Sequence, residues 1–535
     1  MIIQSNIVSR SRNKTCRLLS ILDRFQQHSH PGNSRNFNAG APIQTPTPIN
    51  TNLRSFTNDL DLICPSFRID SSQIEILSTP TEFYSNLKAK ILGAEKRIFL
   101  TTLYIGASEK ELISLLQNVL RRKPDLKVSI LTDALRGTRE SPAISCASLI
   151  APLALEFGHL RVELRMYHTP NLVGIKKRYL PKRINEGWGL QHMKLYGFDN
   201  EIIISGANLS HDYFTNRQDR YHIFYSEEIA NHFYRLHMII SSLSYLVKPD
   251  SELAAGYSLE WPVSNTVPSP LSSPTEFVNR ASNLLLPIIR PSEVLRAPKH
   301  ESDTIVYPLS QLTSLFPSCA DASTELSAIS SLLSKLSTPQ FKTSSWTFTA
   351  GYFNPIPKLT SLLLATASTN NNIITASPWA NGFYGSKGIS GLLPPAYTLL
   401  LSRFLKEIIR KRRKDDISLK EWRRGTAGQP DGWTYHAKGL WISLSPKTEQ
   451  GRLDVNISVI GSSNFTQRSY CLDLEAGVVI VTSNKDLMAR LGKERDNLSE
   501  HAGEIGSEEF KKVERKVKLK VRLAMWIVKL AGGAL

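Results

Sequence analysis

Two stretches of this chain spell nearly the same phrase. Residues 191–200 read QHMKLYGFDN and residues 435–444 read YHAKGLWISL. Each carries a His-x-Lys pair, His192 with Lys194 and His436 with Lys438, and the spacing puts both side chains on one side of a strand. One such pair is ordinary on a surface strand. The match, however, continues downstream. SGANLSHDYFTNRQDRY (205–221) follows the first phrase and GSSNFTQRSYCLDLEAG (461–477) follows the second. With Asn208 aligned on Asn464, each copy has an acid eleven residues later, Asp219 and Glu475. The first phrase ends in Asp199, whereas the second has Ser443 at that position. A fold for this chain must therefore hold two similar halves.

The surrounding sequence agrees. In the first half TEFYSNLKAKILGAEK reads as a helix, RIFLTTLYIG as a strand, SEKELISLLQNVLRRK as a helix and LKVSILTDAL as a strand. In the second half TELSAISSLLSKL and PKLTSLLLATAST read as helices, SWTFTAGYFN and NNIITASPW as strands. Helices are read from spaced apolar residues and strands from short β-branched or aromatic runs. The alternation predicts an α/β fold with helices layered on largely buried sheets. The expected organisation is a leader and linker over 1–56, a first lobe over 57–250, a Pro/Ser-rich connection over 251–300, a second lobe over 301–500 and a tail over 501–535.

Each half supplies an imidazole, an ammonium, an amide and a carboxylate, the groups that phosphoryl-type chemistry needs. One histidine can attack phosphorus and form a covalent intermediate. The other can protonate the leaving group and deprotonate the acceptor. Lysines and asparagines can hold the non-bridging oxygens. Asp219 and Glu475 can each accept the second ring N–H of a histidine and so fix its tautomer. Two lysines neutralise phosphate charge, so neither a cofactor nor a metal is expected. The glycines form no Walker-type phosphate loop.

The duplicated H-x-K-x-x-x-x-D with G-x-x-N downstream resembles the phospholipase D superfamily over most of residues 60–500. The resemblance implies two lobes, each a mixed sheet flanked by helices, related by pseudo-two-fold symmetry with one active site at their interface. His192, Lys194, Asp199, His436 and Lys438 would be catalytic, supported by Asn208, Asp219, Asn464 and Glu475. Longer phrases, HMKLYGFDNEIIISGANLSHDYFTNRQDRY (192–221), DALRGTR (133–139) and HAKGLWIS (436–443), are similar to the eukaryotic phosphatidylglycerophosphate synthase branch. That branch implies transfer of a phosphatidyl group from CDP-diacylglycerol to sn-glycerol 3-phosphate through a phosphohistidine, with CMP released, on the matrix face of the mitochondrial inner membrane. His192, in the complete copy, would be the nucleophile and His436 the proton carrier, with the reverse assignment open. The alternatives are a phospholipase D-type lipid hydrolase, a phosphatidylserine synthase or a tyrosyl-DNA phosphodiesterase.

Composition narrows the partners. A net charge of +18 and a pI near 9.6 favour polyanions. Nucleic acid is not expected, because the two ends of the chain point to a membrane. The first 30 residues carry five arginines and lysines against one acid, Asp23, which is the pattern of a mitochondrial transit peptide. At the other end, Phe510, Val513, Val517, Val521, Ala524 and Val528 make an apolar stripe beside Lys511, Arg515, Lys518, Arg522 and Lys529. That reads as a helix lying on an anionic bilayer. No apolar run reaches the roughly 18 residues of a spanning helix. Five scattered cysteines suggest neither disulfides nor zinc. Arg136 and Arg139, at a strand end, and Arg423 and Arg424, before the second phrase, are candidate substrate contacts. The basic runs 175–183 and 410–414 are candidate phosphate or lipid contacts. The Gly-rich segment 377–388 is a candidate pocket wall.

Overall fold

Each copy of the repeated phrase runs into a strand near the middle of its own sheet. The computed structural model describes residues 51–140, 144–181, 184–291, 302–445 and 453–530, all within one compact unit. Among these residues there are two nine-stranded mixed sheets. In the first, Arg97–Thr101, Lys127–Asp133 and Val162–Tyr167 run parallel. Leu195–Phe198, which follows Lys194, lies antiparallel against Arg97–Thr101 and is followed outward by Glu201–Ser205, Tyr221–Phe224 and Ile74–Leu77. The second sheet repeats the plan. Ser345–Ala350, Asn371–Ala376 and Ile417–Trp422 run parallel. Lys438–Ser443 lies antiparallel against the first of them and is followed outward by Ile457–Gly461, Glu475–Thr482 and Thr304–Gln311. The mixed two-lobed α/β architecture expected from the sequence is the one observed.

The central strands are covered on both faces, so they read as continuous apolar runs rather than alternating ones. Ile202, Ile203 and Ile204 are all fully buried, as are Val478 through Val481. Helices cover them. Lys110–Arg122 turns Leu112, Leu116, Val119 and Leu120 inward at helical spacing. Pro80–Gly93 starts on Thr79, whose hydroxyl accepts from Glu82 N, with proline in the first turn. Each lobe has its own core, and a third cluster joins them, mixing Phe224 and Leu236 of the first lobe with Trp441, Ile460 and Val478 of the second.

Three expected boundaries move. The linker was expected to run through residue 56, but Thr51–Ile63 is a helix whose Leu53, Phe56 and Leu60 pack in the second lobe's core. Phe67–Ile69, expected in the first lobe, is the edge strand of the second sheet. The reason is local: an apolar residue every three or four positions after residue 52 makes a helix face, which a Pro/Asn-rich prefix disguised. Within the expected connection, Tyr257–Glu260 is an edge strand of the first sheet. Pro274–Ile289 is a helix that buries Phe277, Ala281, Leu285 and Ile289 in the shared core. Ala502–Glu504, expected in the tail, pairs with Ile417–Trp422. Residues 1–50, including the leader reading, lie outside the described residues.

The tail also differs from one continuous helix. Residues 509–515 form two short 3-10 turns, and the helix spans Leu519–Leu530. Arg515, expected in the basic stripe, is buried and holds the Glu421 carboxylate with both terminal nitrogens. Val521 faces inward, while Leu519, Leu523 and Trp526 are 80%, 54% and 59% exposed. No described helix is long and apolar enough to cross a membrane.

Candidate active site

Short backbone bridges between the lobes build the site. His192 N donates to Leu474 O at 2.9 Å and Leu474 N donates to Leu190 O at 2.8 Å. In the other half Thr434–Tyr435 pairs with Arg217–Gln218, and His436 N donates to Gln218 O at 2.9 Å. Each histidine is thus bonded to the residue just before the acid of the opposite lobe. The consequence for the side chains is reciprocal. His192 Nδ1 lies 2.9 Å from both carboxylate oxygens of Glu475. His436 Nδ1 lies 2.7 Å from Asp219 Oδ2. An ionised carboxylate only accepts, so each holds its imidazole as the Nδ1–H tautomer with the lone pair on Nε2.

These four groups, with Lys194 and Lys438, are buried. Burial first, and the neighbouring lysines second, hold both histidines well below their ordinary range, which keeps the rings neutral. Burial also brings Lys194 down to about 7 and Lys438 to about 8, against the opposing pull of Glu475 and Asp219. Glu475 is pushed up to about 7 by burial, with Lys194 opposing; Asp219 moves the same way, with Lys438 opposing. Lys194 donates to His192 O. Lys438 Nζ is 3.3 Å from His436 Nε2 and 3.5 Å from Asp219 Oδ2.

The two halves differ at Nε2. Tyr213 OH lies 3.2 Å from His436 Nε2 and accepts from Asn208 Nδ2 at 3.2 Å. Asn208 Oδ1 in turn accepts from Thr102 at 3.4 Å. Asn464, the repeat partner of Asn208, has a buried Oδ1 without a hydrogen-bond partner among the described residues. Gly206 is required by the acid beside it: a Cβ there would stand 2.6 Å from Asp219 Oδ1. The repeat position in the second lobe is Ser462, whose hydroxyl donates to Glu475.

Other expected site residues are elsewhere. Asp199 is not brought to the histidines. It sits at positive φ (48°) in the turn after Leu195–Phe198, where its carboxylate accepts from the backbone N–H groups of Glu95, Lys96 and Arg97 at 2.8–2.9 Å. It pins a turn to the start of the neighbouring strand. Ser443, at the corresponding strand end, pairs in register with Ser345 and is buried. Arg136 and Arg139 both face Glu186, and Arg136 lies over Tyr104 at 4.7 Å. Arg423 and Arg424 are exposed and stack on Trp379 and Trp433. Of the basic runs, Arg410 pairs with Glu407 and Arg413 with Asp416, and Gly174–Tyr179 is a short surface helix. The 377–388 segment passes over Tyr352 and Arg217, where a Cβ on Gly382 would meet Tyr352 OH at 2.8 Å.

Sequence reasoning missed Asp133, which accepts from Gln191 N at 2.9 Å beside His192. It also missed Tyr213 and two ion pairs beside the site. Arg217 pairs with Asp212 at 2.9 Å, and Arg468 with Asp473 at 2.9 Å. The signal was present in the repeat: with the asparagines aligned, Asp212 matches Arg468 and Arg217 matches Asp473. The pair is kept with its charges exchanged.

No family model matches the chain. Individual relatives do. Over 486 residues, 90% of this chain and 92% of the relative, it is 46% identical to the CDP-diacylglycerol–glycerol-3-phosphate 3-phosphatidyltransferase of Saccharomyces pastorianus. The chain belongs to that family. A phosphatidyltransferase of the same name from Schizosaccharomyces pombe is 40% identical, covering 86% of this chain and 95% of its own length. The one from Gallus gallus, named as mitochondrial, is 34% identical, covering 87% and 85%. Among solved structures, phosphatidylserine synthase from Haemophilus influenzae superposes with a TM-score of 0.64 at 19% identity, over 90% of this chain and 98% of that one. That likeness concerns the fold, and it is the phospholipase D fold that the repeated motif implied.

Proposed function

We propose that this chain transfers a phosphatidyl group from CDP-diacylglycerol to sn-glycerol 3-phosphate by two displacements at one site, with His192 as nucleophile. Family membership supports the substrates. The reciprocal pairing of His192 with Glu475 and His436 with Asp219 carries the mechanism, because it makes one site with two neutral, oriented imidazoles. No hydrogen bond to His192 Nε2 is seen among the described residues, whereas His436 Nε2 faces Tyr213, and this supports His192 as the attacking ring. In the first step the His192 Nε2–phosphorus bond forms and the phosphorus–oxygen bond to CMP breaks. His436, neutral in the free enzyme, takes up a proton at Nε2 when the polyanionic substrate binds and passes it to the departing oxygen. In the second step His436 takes the proton of a glycerol hydroxyl, whose oxygen displaces His192 from phosphorus. Lys194 and Lys438 hold the non-bridging oxygens while charge builds there.

The lipid is reached from a bilayer in this proposal. The exposed Leu519, Leu523 and Trp526, beside Lys518, Lys520 and Arg522, form the contact with an anionic surface. The mitochondrial names of vertebrate relatives support that compartment; the matrix face of the inner membrane is this proposal's own assignment. The test follows CMP release from CDP-diacylglycerol in mixed micelles, with and without sn-glycerol 3-phosphate, in wild type and His192→Ala. Release that needs glycerol phosphate and vanishes in the variant is expected. Release with water or serine, but not with glycerol phosphate, would reassign the acceptor.

A further inference from the structure

The two exchanged ion pairs flank the site but are not equivalent. Arg468 faces Asp473, whose side chain is 5% exposed and whose carboxylate also accepts from Leu190 N at 2.9 Å. A buried carboxylate that close largely cancels the guanidinium. Arg217 faces Asp212, whose side chain is 46% exposed. Water screens that carboxylate, so more of the Arg217 charge remains for another anion. The Arg217 side chain is itself mostly buried, at 12% exposure. Its Nε donates to Thr434 Oγ1 at 3.0 Å, and its guanidinium lies over the Tyr213 ring, 4.6 Å from the centroid. Gly382 and the Tyr352 hydroxyl close the space above it.

Tyr213 sets the distance that matters. Its hydroxyl is at His436 Nε2 and its ring is under Arg217. The guanidinium therefore stands one aromatic ring away from the atom that handles the acceptor's proton. In CMP the phosphate is joined directly to the oxygen that His436 protonates, leaving no such gap. In sn-glycerol 3-phosphate a three-carbon chain separates the reacting hydroxyl from the phosphate. We propose that Arg217, positioned by Asp212, Thr434 and Tyr213, is the subsite for the phosphate of the acceptor, and that it makes the enzyme select a phosphorylated alcohol. The assignment rests on His436 being the proton carrier on the acceptor side.

The test uses the full chain in mixed micelles with Arg217→Met. kcat/KM for sn-glycerol 3-phosphate should fall about ten- to a hundredfold further than kcat/KM for CDP-diacylglycerol, the worth of a hydrogen bond to a charged group. Inorganic phosphate should inhibit wild type competitively against glycerol phosphate, with an inhibition constant that rises by a similar factor in the variant. An equal fall for both substrates, or unchanged inhibition by phosphate, would overturn the subsite. Should Arg217→Met not fold, Arg217→Lys keeps the charge and loses the fork. It should still weaken phosphate inhibition severalfold, and no change would again overturn the proposal. Exchange of labelled CMP into CDP-diacylglycerol by wild type, without acceptor, reads the two-displacement mechanism separately. Its absence would remove that mechanism whatever Arg217 does.

Discussion

The two lobes share one backbone plan and furnish it differently. Both put a histidine and a lysine at the entry to the strand beside the parallel triplet, and both bond the histidine to the opposite lobe ahead of an acid. The first lobe's acid is an aspartate beside Gly206, and the second's is a glutamate beside Ser462. The first lobe brings Tyr213 to the opposite histidine, whereas the repeat position in the second holds Ser469, whose hydroxyl accepts from Asn464 N at 3.2 Å instead. What is kept is the orientation of two neutral imidazoles. What differs is the surroundings of each Nε2, and that is where a nucleophile and a proton carrier need different environments. The frame is repeated, and the two copies differ at a few positions around each Nε2.

The largest expected effect tests those roles. His192→Ala should lose both overall transfer and the exchange of CMP into CDP-diacylglycerol, by about 10⁴-fold or more. His436→Ala should lose transfer to a similar degree, yet recover part of its exchange when the leaving group needs no proton, as with a p-nitrophenyl phosphodiester of the lipid. Equal losses on that substrate would erase the distinction between the lobes.

Next comes the staple between them. Arg220 of the first lobe grips Glu494 of the second with two nitrogens at 2.8 and 2.9 Å, lies over Trp441 at 4.0 Å, and donates to Val459 O at 2.6 Å. His222 and Trp441 also bond Glu494. Arg220 follows Asp219 directly, so the staple holds the acid in register with His436. Arg220→Ala leaves a buried carboxylate without its cation and should cost roughly 3–5 kcal/mol, read by denaturant unfolding. A loss under about 1 kcal/mol would mean that the shared apolar core alone fixes the lobes.

A smaller effect concerns pH. The lysine ammonium groups are needed charged, and their depressed values put loss of that charge near pH 7 to 8 in the free enzyme. kcat/KM should therefore fall as pH rises through that window, and Lys194→Arg should move the fall upward if Lys194 sets it. His192 is held well below 6.5, so it stays neutral and no acid limb should appear at its ordinary value. Burial pushes the Glu475 carboxylate up to about 7, so the test is made in Glu475→Gln, where an acid limb centred at about pH 6.5 would contradict the neutral nucleophile.

The smallest effect separates the motif's last position from its first two. Asp199→Ala removes an acceptor of three backbone N–H groups and a side chain suited to positive φ. It should cost about 1–2 kcal/mol of stability and leave kcat within about twofold. A large loss of kcat in folded protein would return Asp199 to the chemistry.

The sequence made the fold and the paired histidines readable because repetition over many positions is difficult to imitate. His192, Lys194, His436, Lys438, Asp219 and Glu475 meet as the aligned phrases suggested. Which acid serves which histidine was not readable, since spacing along one chain says nothing about the bridges between His192 and Leu474 or His436 and Gln218. Asp199 travels with the motif, yet the structure places it in a turn, away from the histidines, accepting from three backbone N–H groups. Arg217 and Arg468 were overlooked because their charges trade places between the copies, and a search for identical residues passes over them.

The central claim is that each lobe orients the other lobe's histidine. It is tested most directly by trapping the intermediate with labelled CDP-diacylglycerol and no acceptor, then mapping the label by mass spectrometry in wild type, Glu475→Gln and Asp219→Asn. The account predicts a phosphatidyl group on the peptide containing His192 in wild type, its loss in Glu475→Gln and its retention in Asp219→Asn. Label on His436, or loss in Asp219→Asn with retention in Glu475→Gln, would contradict it.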